Sequence, residues 1–198
     1  RFVDSFNKRA ARVISNLLSL PLVATSVVIV FSFFSPKGLG SILTPLKAIL
    51  LGIPTIAVAP IVMVLYFFRK GYVDLHVSQG ERRPIFFIPA LAAYVSAAVV
   101  FLWLQCKILY LLSVSYLSIS LIVLLVTLFW KISIHMAGLT GPITALTLAL
   151  GANYALLYLL ALPLGWARTE LEAHTVPQVV SGAAVGVGVT ALVYLGLI

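Results

Sequence analysis

Residues 136–166 read MAGLTGPITALTLALGANYALLYLLALPLGW, and none of them is charged. As a single helix this stretch would be about 46 Å long at 1.5 Å per residue, well beyond a hydrocarbon core of about 30 Å. Near its middle lies LGANY, residues 150–154, where Gly151 and Asn153 are turn residues. The stretch therefore reads as two short helices back to back, over 132–150 and 154–168. Gly141-Pro142 bends the first or marks its true start, and Pro163 kinks the second.

Outward from this hairpin, apolar runs cover 13–34, 48–68, 85–104, 108–130 and 176–198, each long enough to cross a bilayer. They are continuously apolar rather than alternating, which favours helices over a barrel. The expected fold is all-α: one integral-membrane domain over 1–198, a polytopic transmembrane bundle of six to seven membrane helices. Composition agrees. The chain is 62% hydrophobic and 9% charged, against about 25% charged in soluble domains. The first residues, RFVDSFNKRAAR, are too polar for a cleavable signal peptide. The single cysteine, Cys106, excludes an internal disulfide and any multi-cysteine metal site.

The hairpin sets the parity of the loops. If the chain doubles back near Gly151, the polar segments 69–84, 131–135 and 167–175 share one membrane face with the N-terminus. An unbroken helix over 136–166 would put the last of them on the opposite side. On the shared face lie all three histidines, His76, His135 and His174, one per loop, together with Arg82, Arg83, Lys131 and Arg168. Solvation of loops accounts for Arg69, Lys70, Glu81, Glu170 and Glu172, and Lys8, Arg9 and Arg12 serve as orientation anchors. It accounts less well for three histidines on one face. Of the thirteen Lys/Arg, ten fall there, and only Lys37, Lys47 and Lys107 lie opposite. That bias makes the shared face cytoplasmic.

The net charge of +8 lies mainly between apolar segments, so it suits anionic head groups or an anionic substrate rather than nucleic acid. Two histidines among Arg and Lys suit phosphoryl transfer. One imidazole attacks phosphorus, the other protonates the leaving oxygen, and the cations hold the non-bridging oxygens. This chemistry calls for no metal and no cofactor. The motifs H-E-x-x-H and G-x-S-x-G are absent, as are paired cysteines and aspartate-rich motifs.

Three segments in order carry a family resemblance. HVSQGERRP places His76 seven residues before Arg83-Pro84, ISIH ends in Ser133 and His135, and ARTELEAHTVPQ spaces Arg168, His174 and Gln178. Together they resemble the K-x6-RP, PSGH and SR-x5-H-x3-D motifs of the integral-membrane type 2 phosphatidic acid phosphatase family. The resemblance implies that His174 is the nucleophile, forming a phosphohistidine, and His135 the general acid. It implies that Arg83, Arg168 and the Ser133 hydroxyl or backbone hold the phosphate, with Lys131, His76 and Arg82 as further contacts. It also implies a helical bundle whose site opens to lipid, with a phosphorylated lipid as substrate.

The chain departs from those motifs at several positions. His76 replaces Lys, Ile132 and Ile134 replace Pro and Gly, and Ala167 replaces Ser. Gln178 stands where the family has the Asp that orients the nucleophile. An amide can set the tautomer but supplies no charge. The alternative is therefore a catalytically inactive phosphatase-like subunit or scaffold of a membrane protein complex. HTVPQ, residues 174–178, further reads as a helix start, with Thr175 or Val176 as cap. SGAAVGVGVTA, residues 181–191, reads as a close-packing face.

Overall fold

A computed structural model describes residues 2–36, 38–69 and 83–197, and every regular element among them is helical. The order is α1 (Phe2–Leu17), α2 (Leu20–Phe34), α3 (Pro45–Gly52), a π-helical turn (Ile53–Val58), α4 (Ala59–Arg69), α5 (Arg83–Trp103), α6 (Lys107–Thr127), α7 (Ile134–Leu150), a 3-10 segment (Ala152–Leu160), α8 (Ala161–Glu170) and α9 (Val176–Leu197).

Four stretches among the described residues are long and apolar enough to cross a membrane: Phe6–Phe34, Pro45–Val62, Lys107–Thr127 and Val176–Leu197. The helix expected over 13–34 is interrupted at Leu18-Ser19. Ser19 takes an extended conformation there and caps α2, and Pro21 in the first turn of α2 has no N–H to lose. Likewise, the run over 48–68 is not uniform. It widens into a π-helical turn at Pro54, whose ring would clash with the carbonyl four residues earlier in a regular helix.

The exterior of the bundle is apolar. Phe129, Trp103, Leu192 and Leu195 are largely exposed, which a bilayer tolerates and water does not. Inside, α2 buries Ala24, Val27, Val28 and Phe31, a stripe at i, i+3, i+4, i+7. It packs there with Ile56, Phe101, Leu109 and Leu112. The central helix is α6, buried along most of its length.

The closest helix pair is α7 with α9. A Cβ at Gly182 would collide with the Ser133 carbonyl, and one at Gly186 would lie 2.6 Å from the Ala137 carbonyl. The Thr140 hydroxyl crosses the seam to the Ala183 carbonyl at 3.0 Å. Small residues thus let two backbones meet and exchange polar contacts. Pro142 sits within α7, which runs unbroken from Ile134. A Cβ at Gly141 would lie 2.6 Å from the end of the Ile119 side chain and 3.0 Å from the Thr190 hydroxyl.

At Gly151 the backbone adopts φ 122°, which favours glycine, and α7 stops. The chain reverses, and Tyr158 in the returning 3-10 segment reaches the Thr144 hydroxyl at 2.6 Å. Two residues 14 apart could not hydrogen-bond in a continuous rod, so 136–166 is not a single helix. Pro163 falls in the first turn of α8, directly after the 3-10 segment gives way to α-helix.

Candidate functional site

Three helix ends and one helix flank meet at the site. The first end is that of α7. Ser133 is fully buried in an extended conformation, and its hydroxyl caps α7 by accepting the Met136 N–H at 3.4 Å. Its own N–H donates to the Gln178 carbonyl in the first turn of α9, at 3.1 Å. This bond, with Gly182 beside it, staples the start of α7 to the start of α9. His135 follows two residues after Ser133, half-buried with its Nδ1 fully enclosed.

The end of α8 is the second. Glu172 takes a left-handed conformation (φ 53°), its N–H donates to the Thr169 carbonyl at 2.9 Å, and the Ala173 N–H donates to the Arg168 carbonyl at 3.1 Å. This is a Schellman closure with a non-glycine residue at its left-handed position. The His174 N–H reaches the same Arg168 carbonyl, also at 3.1 Å. The five-residue gap between Arg168 and His174 is therefore the span of one helix-ending turn, which brings the two backbones together.

Last comes the start of α9. Its cap is Thr175, whose carbonyl accepts the Val179 N–H at 3.0 Å. The Gln178 side-chain oxygen accepts the Thr175 N–H at 3.1 Å, the returning half of a capping box. That oxygen, expected from the sequence to orient His174, thus serves the helix end.

The charges meet as well. Burial first, then the charge of Arg168 and the neighbouring His174 ring, lower the pKa of His135 and hold its imidazole neutral. Beneath the site, Met136, Leu139, Leu164 and Val179 pack into an apolar floor. A helix flank completes the set: Arg168 donates through Nη1 to Ser15 of α1 at 3.0 Å, while its Nε is enclosed with no partner among the described residues. At the rim, Lys8 and Glu172 form an exposed ion pair at 3.3 Å.

Of the residues singled out from the sequence, Ser133, His135, Arg168, His174 and Gln178 gather here. Lys131 is half-buried in the link before Ser133. Arg83 is the first residue of α5, and its side chain, with all of His76 and Arg82, lies outside the described residues. Ser15 was not anticipated. Its signal in the sequence is faint: it falls on the α1 face shared by Lys8, Ala11 and Arg12, at i, i+3, i+4 and i+7 spacing.

Comparison with protein-family models, with curated proteins and with solved structures finds no match to this chain.

Proposed function

We propose that this protein is a membrane phosphatase acting on a lipid phosphate or isoprenoid diphosphate, with its site on the cytoplasmic face. The observation that carries the reading is the meeting of His135, Arg168 and His174 at one end of the bundle. Arg168 binds non-bridging oxygens of the phosphate. His174 attacks phosphorus, the P–O bond to the leaving group breaks, and a phosphohistidine forms. His135 protonates the departing oxygen. Since it rests neutral, it must first gain a proton, and an anionic phosphate beside it favours that by offsetting the positive charge of Arg168. Water then attacks the phosphohistidine, with His135 taking its proton, and the P–N bond breaks to release phosphate and return the His174 imidazole. The substrate's tail stays in the bilayer.

The test is phosphate release from a panel of lipid phosphates and diphosphates by protein in detergent micelles. Wild type releases phosphate without added divalent metal. His174→Ala loses it by roughly 10³-fold or more, the scale seen when a nucleophile is removed. No release from any member of the panel overturns the reading.

One observation favours a second reading, a phosphatase-like subunit that binds the phosphate without cleaving it. The Gln178 oxygen already accepts the Thr175 N–H, and Glu172 pairs with Lys8. Both side chains therefore hold the helix end and the rim in place. Phosphate binding without release would select this reading.

A further inference from the structure

We propose that α1 is part of the anion site, with Ser15 positioning the Arg168 guanidinium to receive a tetrahedral oxyanion. This rests on the anion-binding reading of the site given above, and adds to it a helix that no motif includes. Ser15 is almost fully buried, 153 residues from Arg168 in sequence, and accepts Nη1 at 3.0 Å. A guanidinium is a rigid fork of five donors. With Nη1 tied to Ser15, the edge formed by Nε and Nη2 is set in direction. Two parallel N–H bonds from one edge match two oxygens of a phosphate.

That edge requires an acceptor. Nε is enclosed and has no partner among the described residues, and an unmet N–H on a buried charged group is costly. The Nδ1 of His135 is enclosed in the same way, and Arg168 lies close enough for its charge to act on that imidazole. Two enclosed nitrogens on different helices, with a net positive field, define a site for an oxyanion. The Lys8–Glu172 pair gives α1 a second tie, to the turn that carries His174. The oxyanion is borne by a lipid headgroup or by free phosphate.

The experiment titrates wild type, Ser15→Ala, Ser15→Thr and Arg168→Ala in detergent with inorganic phosphate and, separately, with a short-chain lipid phosphate. Binding and thermal unfolding are both followed. Wild type binds. Ser15→Ala weakens binding by about tenfold, the lower range for a hydrogen bond to a charged group, while its unfolding temperature without ligand stays near that of wild type. Ser15→Thr keeps the hydroxyl acceptor and restores binding. Arg168→Ala abolishes it. Preference for the lipid phosphate assigns the oxyanion to a headgroup, and equal affinity for both probes assigns it to phosphate alone. Wild-type affinity in Ser15→Ala, or failure of Ser15→Thr to restore, overturns the role of Ser15 while leaving the anion site standing. Absence of binding by wild type, or unchanged binding in Arg168→Ala, overturns the anion site and the proposal with it.

Discussion

Two helices in this bundle end in the same way, one at each end of the molecule. α5 closes through Gln105, at φ 59°, with the Gln105 N–H on the Leu102 carbonyl at 3.1 Å and the Cys106 N–H on the Phe101 carbonyl at 2.9 Å. α8 closes through Glu172 with the corresponding pair of bonds. The backbone device is shared, and what it carries is not. At the residue whose carbonyl receives the long bond, α5 has Phe101, wholly buried in the main core, and α8 has Arg168. After the closure, α6 restarts at once at Lys107, whereas two further residues, His174 and Thr175, precede α9. A standard helix ending thus becomes a candidate site through one charged side chain inside it and one imidazole beyond it.

The comparison can be broken first at its structural end. Phe101→Ala is expected to destabilise the fold by about 3–5 kcal/mol, as truncation of a buried aromatic does, and to leave phosphate affinity per folded molecule unchanged. Arg168→Ala should do the reverse. Thermal unfolding and phosphate titration on both variants check this, and a loss of affinity in Phe101→Ala would show that the two ends are coupled.

A smaller effect should come from acid, and at the α8 end alone. The folded His135 resists protonation, while the unfolded imidazole takes a proton below its ordinary value of 6.5. The unfolded state then binds more protons, so this contribution to stability is complete above that pH and is lost as pH falls through it. Unfolding temperatures at pH 7.5 and pH 5.5 should differ less in His135→Asn than in wild type. An unchanged slope would mean that His135 is free to charge.

The smallest effect should be common to both turns. Glu172→Gly and Gln105→Gly each place the residue suited to a left-handed backbone, and each should stabilise by up to about 1 kcal/mol. Chemical denaturation of the two variants checks it. A gain at only one turn would show that the other side chain offsets its strain, as the Ser41 hydroxyl on Gln105 at 3.3 Å suggests for α5.

Much of this was legible in the residues. Apolar runs announced helices, because a bilayer-facing backbone must satisfy its hydrogen bonds within the segment. Gly151 announced the reversal, and TVPQ the start of α9. The small residues of 181–191 announced a close seam, though not its partner. Element edges were less legible. The break at Leu18-Ser19 and the π-helical turn at Pro54 interrupt uniform hydropathy, and a 3-10 return after Gly151 has no compositional mark.

By itself, then, the sequence determined the helical class and the reversal at Gly151. Both are local consequences of chain stiffness, polarity and glycine. Only the tertiary structure decided that Ser133 is stapled to Gln178, that Gln178 caps a helix, and that Ser15 holds Arg168. Those contacts join residues up to 153 apart, and they depend on which helix faces pack. Hydropathy cannot specify that choice here, because large apolar side chains lie on the exposed sides of these helices as well as on the buried ones.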